Sequence, residues 1–460
     1  MKFIKTSIFF LILTLSNTCF SNVSLPAVFS DNMVLQRNAD VKIWGWAQPG
    51  EVVKINTTWS EEEVSTKAGR NGTWELILQT PDVRDPQEIG IKGYNTILLK
   101  NVLLGEVWLV SGQSNMEWSA AAGIDNAVEA IAEAKNPNLR FFSVAHRTAG
   151  APQQDLDGEW VSSTSQTMEH FSAVAYFFGK KLTEELGVPV GLINSSWGGT
   201  PAEVWMPAET IATDPILSKA AALLPEEEWG PKEPGIIYNA MIAPLIPFEL
   251  AGVLWYQGES NTANAKYYES IFSSLIKSWR QKWDKELPFY YAQIAPYNYG
   301  EGFSGVEIRD AQRRVLELSK TGMVMTSDIG NIKDIHPRNK KDVGLRFANL
   351  ALTEVYEIEK PAYAPVPDRI EQKNKELWVY FKNSEGLKID KENKDSQFEI
   401  AGENGIFHPA KVKLKNDVVR LGSKGVKNPK YVRFSWGNTS TSNLFNKAGL
   451  PASSFLVKIE

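Results

Sequence analysis

The sequence predicts an α/β protein in which a mostly parallel sheet is covered by helices and flanked on both sides by β-rich sections. Three observations carry this reading. Between residue 104 and about residue 360, short apolar runs of strand character alternate with segments that are apolar at helical spacing, the pattern of repeated βαβ units. Before residue 103 and after about residue 366 the helical spacing disappears, and runs of alternating character are broken by turn residues. The length of 460 residues allows about three domains at roughly 150 residues each. The expected organisation is a leader over 1–21, an N-terminal β-sandwich-like domain over 22–103, an α/β domain over 104–362 and a C-terminal β-rich domain over 363–460.

The leader has Lys2 and Lys5 ahead of the apolar run from Ile8 to Leu15, followed by Ser16-Asn17-Thr18 and Cys19-Phe20-Ser21. A positive start, a short apolar stretch and a small-x-small end make an export signal, and the run is too short to span a bilayer. Asn17-Thr18 is a poor lead-in to a lipidated cysteine. The chain is therefore expected to be exported, to a bacterial periplasm or beyond, with no membrane span. Cleavage after Ser21 would remove the single Cys.

The elements follow in order. Val41–Trp46, Val52–Asn56 and Thr73–Leu78 read as strands, separated by turn signals such as Gln48-Pro49-Gly50 and Arg70-Asn71-Gly72. In the α/β section, Val107–Val110, Val188–Asn194, Gly252–Tyr256, Phe289–Ile294 and Met323–Thr326 read as strands. Ala173–Leu182, Tyr267–Trp283, Arg309–Leu318 and Val343–Tyr356 read as helices. Leu377–Phe381, Ala410–Leu414, Val418–Leu421 and Tyr431–Phe434 return to β character. The charged run Asp390–Asp395 lacks calcium-loop spacing and its central Gly, and reads as a solvated loop.

Composition narrows the function classes. With 49 Lys+Arg against 54 Asp+Glu the net charge is -5, which argues against a nucleic-acid binder. One Cys excludes a disulfide framework, and four scattered His leave little material for a zinc site. No metal and no cofactor are expected. The 15 Trp divide between core packing and sugar platforms: Trp44, Trp46, Trp378 and Trp436 read as core, whereas Trp118, Trp197, Trp205 and Tyr256 lie near the motifs below and suit either role.

Four polar motifs stand at strand ends of the α/β section, where such sheets place their sites. They are Gly112-Gln113-Ser114-Asn115-Met116, Asn194-Ser195-Ser196-Trp197-Gly198-Gly199-Thr200, Tyr256-Gln257-Gly258-Glu259-Ser260-Asn261 and Asp328–Pro337. A Ser at a strand-to-helix turn is exposed as a nucleophile must be, although Met116 breaks the G-x-S-x-G pattern. Paired glycines let backbone N–H groups approach a ligand. A Ser hydroxyl needs a base, usually His. Of His146, His170, His336 and His408, only His336 sits at a strand end of this section, with Asp334 two residues before it.

The blocks Gly112–Met116, Trp197–Thr200, Trp255–Asn261 and Asp334–Pro337, with Leu444–Phe455, resemble the sialate O-acetylesterase family of SGNH-type hydrolases. The resemblance covers nearly the whole chain after the leader. It implies a flavodoxin-like catalytic domain and an esterase that removes acetyl groups from sugar hydroxyls, without a metal. It makes Ser114 the nucleophile and His336 the general base, with an oxyanion hole from the N–H groups of Ser114 and Gly199 and a side-chain amide from Gln257 or Asn261. The broader pattern has Asp three residues before the His. Here that position is Lys333 and the carboxylate is Asp334, so either Asp334 completes a triad or the site is a Ser-His pair.

The implied partner is an acetylated sugar or glycan, foremost 9-O-acetylated sialic acid, with acetylated hemicellulose or pectin as the alternative. Trp197 and Tyr256 are candidate sugar contacts, and Arg338 is a candidate partner for a sialic acid carboxylate. Two other classes compete. A glycoside hydrolase would pair Glu259 with Glu203 but leaves Ser114 and His336 without a role. A non-catalytic carbohydrate-binding protein would have no need of them. Oligomeric state is left open.

Overall fold

A computed structural model describes residues 22–226, 230–390 and 397–459. The expected leader, with Cys19, lies outside these residues, and so do residues 391–395 of the charged run. Seven strands form the central layer: β1 (Thr96–Gly112), β2 (Asn136–Ser143), β3 (Trp160–Ser163), β4 (Val190–Ser196), β5 (Gly252–Tyr256), β6 (Phe289–Ala292) and β7 (Thr321–Val324). Their order is β7-β6-β5-β1-β4-β2-β3. Neighbours pair in parallel except β2 and the edge strand β3, which are antiparallel. The sheet is therefore mixed, with a parallel body.

The sheet is covered on both faces, and alternation along β1 shows how. Val107 and Leu109 enter one core with Ile193, Val253, Trp255 and Phe289. Trp108 and Val110 enter the other with Leu192, Leu254 and Tyr290. Successive side chains point to opposite faces of a strand, and β5 and β6 are buried at every residue, as two-sided coverage requires.

Five helices matter for the site: α1 (Ser114–Glu117), α2 (Ala173–Leu186), α3 (Tyr268–Trp283), α4 (Ser304–Arg314) and α5 (Lys340–Glu354). The Ser172 side chain caps α2 by accepting from the Ala175 N–H, and Gly187 closes it in the left-handed conformation, a start and stop that the residue types favour. α2 and α5 supply Phe178, Phe347 and Leu350 to one core, and α3 supplies Phe272 and Trp279 to the other. Trp255 is fully buried among Trp205, Phe272, Trp279 and Phe289, where truncation to Ala costs about 3–5 kcal/mol.

The flanking sections attach to this layer differently. β1 is 17 residues long. It pairs with Gln87–Lys92 over its first part, with Val34–Gln36 in the middle, and with β4 and β5 at its end. Val52–Thr57 and Ser60–Lys67 extend the first of these sheets, while Ala39–Trp46 and Thr73–Thr80 form a separate antiparallel pair. Val41, Ile43, Ile55 and Ile91 belong to the same apolar cluster as Leu109 and Trp255, so the N-terminal section shares a core with the central sheet.

The C-terminal strands enclose a core of their own, built from residues such as Leu377, Val379, Phe398, Val432 and Phe455. Its junction with the centre is partly apolar, through Ala364 and Leu450, and partly polar. The fully buried Arg309 of α4 donates to the carbonyls of Gly437 and Asn438, and Gln293 donates to Ser453.

The expected core tryptophans of the flanking sections turn out half-exposed. Trp44 packs edge-on against Phe29, and Trp378 lies under the Arg420 guanidinium, 3.8 Å from its ring centroid. Among the described residues no helix is long and apolar enough to cross a membrane.

Candidate active site

β1 ends at Gly112, whose φ of +134° is open only to glycine at low strain. A Cβ there would lie 2.2 Å from the Tyr256 carbonyl oxygen. This close approach of β1 to β5 lets the chain turn through Gln113 and begin α1 at Ser114. As a first-turn residue, Ser114 has a backbone N–H without an intrahelical acceptor. Neither its N–H nor that of Gly199 meets an acceptor among the described residues.

The His336 Nε2 lies 2.9 Å from the Ser114 Oγ, across 222 positions of sequence. The half-buried imidazole is sandwiched on one side by Trp118, with ring centroids 4.2 Å apart and planes at 17°. The Trp118 indole is itself fixed by donating to the Gly123 carbonyl. Burial holds the imidazole below its ordinary pKa, the Lys340 amine pushes it further down, and Asp334 opposes both. Its neutral form, the one that can accept a proton, is thereby favoured.

Asp334 sits beside this ring but does not hydrogen-bond to it. Its Oδ1 accepts the backbone N–H of His336 at 2.9 Å, a local Asx-type turn. Among the described residues the ring makes no hydrogen bond other than the one to Ser114. The geometry is that of a Ser-His pair whose loop is shaped by Asp334.

The glycine block after β4 closes against the serine. A Cβ on Gly198 would lie 3.2 Å from the Ser114 Cβ, and Gly199 adopts φ +72°. The Gly198 N–H donates to Glu117 Oε2 at 2.7 Å, so α1 itself anchors this loop. Glu117 Oε1 lies 3.0 Å from Nε2 of the exposed His146, and this contact raises the His146 pKa. His146 stacks on Trp197 with centroids 4.3 Å apart and planes at 4°. Two Trp-His stacks thus flank Ser114. Sequence reasoning passed over His146 because its partner, Glu117, is 29 positions away in another block.

The third block behaves differently from expectation. Gln257 donates both amide protons, to the Thr200 carbonyl and to Asn261 Oδ1. Asn261 donates both of its own, to Glu203 and to Asn264. With every proton engaged in a buried network, neither amide has one left for an oxyanion, which corrects the assignment of Gln257 and Asn261 to that role. Gln113 offers what they lack. Its Oε1 accepts from the Gly258 and Ser260 N–H groups at 3.3 and 3.2 Å, while its Nε2 meets no acceptor among the described residues.

The remaining candidates separate as follows. Tyr256 is fully buried and presents no face to a sugar, which removes it as a substrate contact. Trp197 is half-buried and stacked on His146. Arg338 is exposed, with its Nε 3.9 Å from Asp125 Oδ1. Glu203 and Glu259, the paired carboxylates of the glycosidase alternative, are both buried in amide networks, and burial raises the pKa of each. Among the described residues no group of three or more His, Cys, Asp or Glu is placed to hold a metal ion.

Comparison with known proteins matches the chain to a family of esterases. Residues 104–353 fit the family described as carbohydrate esterase, sialic acid-specific acetylesterase. Human sialate O-acetylesterase is 30% identical over 384 residues, covering 74% of this chain and 73% of the human protein. The rat sialate O-acetylesterase is 29% identical over 412 residues, covering 75% of this chain and 76% of its own. The crystal structure of a carbohydrate acetylesterase from Xanthomonas citri superimposes with a TM-score of 0.86 at 33% identity, over 95% of this chain and 99% of that one.

Proposed function

The chain belongs to the sialic acid-specific acetylesterase family of carbohydrate esterases and is a carboxylic ester hydrolase; on that premise we propose that it removes O-acetyl groups from sugar hydroxyls through an acetyl-serine intermediate. The observation that carries this reading is the 2.9 Å contact between His336 Nε2 and Ser114 Oγ.

His336 takes the hydroxyl proton as Ser114 Oγ attacks the acetyl carbonyl carbon. The carbonyl π electrons move onto oxygen, where the free N–H groups of Ser114 and Gly199 and the Nε2 of Gln113 are the available donors. Loss of one such donor typically costs about 10²–10³ in kcat. Collapse of the tetrahedral intermediate expels the sugar alkoxide, which takes the proton from His336 and leaves as the alcohol. Water, deprotonated by His336, then attacks the acetyl-serine, releasing acetate and restoring the hydroxyl.

Stacking on Trp118 supplies the ring orientation that a carboxylate supplies in a triad. The SGNH-type, flavodoxin-like reading of the domain rests on the parallel body of the sheet and on the strand-end placement of all four blocks.

The proposed substrate is O-acetylated sialic acid, supported by the names of the human and rat relatives, with the 9-position put first on the family resemblance alone. Acetylated plant glycans are the second reading, because the Xanthomonas structure is described only as a carbohydrate acetylesterase. Acetate release from a panel of acetylated sialosides, xylans and pectins decides between them. Preference for the sialosides supports the first reading. Release from the plant polymers alone overturns it.

A further inference from the structure

We propose that Lys340 is a positioning residue: through Asn115 it holds the Ser114 turn against the loop that carries His336, and its charge acts on the imidazole. This inference rests on the reading of Ser114 and His336 as the reacting pair.

Lys340 is an unexpected place for a cation. It is 1% exposed and opens α5, where the positive end of the helix dipole disfavours positive charge. Among the described residues no carboxylate lies within ion-pair distance of it. A buried ammonium without a carboxylate partner is expensive, and an apolar side chain of similar volume would often serve stability as well or better. Something other than stability accounts for its presence.

Its contacts show what that is. The Nζ donates to Asn115 Oδ1 at 2.6 Å. Asn115 is fully buried and immediately follows Ser114. Its Nδ2 donates to Glu259 Oε1 at 2.7 Å and to the Ile335 carbonyl at 2.9 Å. Ile335 immediately precedes His336. One amide therefore ties together the turn after β1, the loop after β5 and the loop before α5, and Lys340 holds the only oxygen of that amide.

The groups facing Lys340 are Asn115, Glu259, Asp334 and His336, with the rings of Tyr256 and Trp118 at 5.7 and 5.9 Å from its Nζ. Burial pushes the amine down to about 7, against the pull of Glu259 and Asp334. The fraction of positive charge that remains beside His336 disfavours the imidazolium.

The test compares Lys340→Met and Lys340→Gln with the parent enzyme. Steady-state kcat and KM are measured with 4-nitrophenyl acetate. The His336 imidazole titration is followed by NMR in the full chain carrying Ser114→Ala, with the resonance assigned by its loss in His336→Asn. Loss of alignment at the serine is expected to lower kcat by about 10²-fold with KM little changed, and removal of the charge to move the imidazole titration to higher pH.

A purely structural strut would lower thermal stability without moving the titration, so an unmoved titration or an unchanged kcat overturns the proposal. Failure of both variants to fold would reduce Lys340 to a structural residue and overturn it too. If Ser114→Ala alone leaves hydrolysis intact, the nucleophile assignment fails instead, while the titration still decides what Lys340 does to His336.

Discussion

Asp334 accepts a hydrogen bond from the backbone N–H of His336 at 2.9 Å and makes none with its imidazole. In a Ser-His-Asp triad the carboxylate fixes the tautomer of the ring, and its replacement by Asn lowers kcat by about 10⁴. Here an Asn at the same place keeps an oxygen able to accept the backbone N–H. Asp334→Asn is expected to lower kcat by no more than about tenfold, well short of the triad effect. Steady-state kinetics check this, and a loss near the triad value would mean that the carboxylate turns to the ring during catalysis.

The pH dependence follows from the imidazole. A group whose folded pKa is depressed resists protonation in the folded state. Activity that needs neutral His336 is lost as pH falls through that depressed value, below the ordinary 6.5. Any stability linked to the group falls in the same window, because the unfolded chain there binds more protons. The kcat/KM profile should therefore fall to half its plateau at a pH below 6.5. An acid limb above 6.5 would contradict the burial and charge arrangement around the ring.

The turn before Ser114 tolerates no side chain at Gly112. A Cβ there would meet the Tyr256 carbonyl oxygen at 2.2 Å, and φ is +134°. Gly112→Ala is expected to destabilise the fold by about 3 kcal/mol or more, from strain and overpacking together. Chemical denaturation measures this directly.

Asn261 separates a structural amide from a catalytic one. Its side chain accepts from the Ala202 N–H and from Gln257, and donates to Glu203 and Asn264. Asn261→Ala leaves several buried polar groups unsatisfied, each worth about 1–3 kcal/mol. The melting temperature should fall markedly, while kcat per folded molecule changes far less than the 10²–10³ of a lost oxyanion donor. Gln113→Ala should instead lower kcat by about 10²–10³, on top of the stability cost of leaving the Gly258 and Ser260 N–H groups without their acceptor.

The architecture was legible where local patterns and tertiary context agree. β5 is observed at the residues where its unbroken apolar run placed it, Gly252–Tyr256, and the start of α3 differs from expectation by one residue. The Asn136-Pro137-Asn138 opening of β2 reads as a turn, so that strand and its partner β3 passed unnoticed. The length of β1 was hidden because its first half is half-exposed and its second half buried, so that only Val107–Val110 reads as a strand.

The meeting of Ser114 with His336 was foreseen from the placement of blocks at strand ends. Lys340 was not, since a Lys in a helical first turn ordinarily faces water. The amides of Gln257 and Asn261 were read toward a ligand because strand-end polar groups usually face one, but their bonds run inward to Glu203 and Thr200. No spacing rule distinguishes those two directions.

Hydrolysis of an acetylated sialoside or of 4-nitrophenyl acetate by Ser114→Ala is the measurement on which the account turns. With the fold intact by circular dichroism, kcat/KM should fall by about 10⁴-fold or more, as when the nucleophile is removed from a serine hydrolase. Retention of activity within about tenfold of the parent, far above the residue that binding and oxyanion donors alone sustain, would contradict the assignment of Ser114 as the nucleophile.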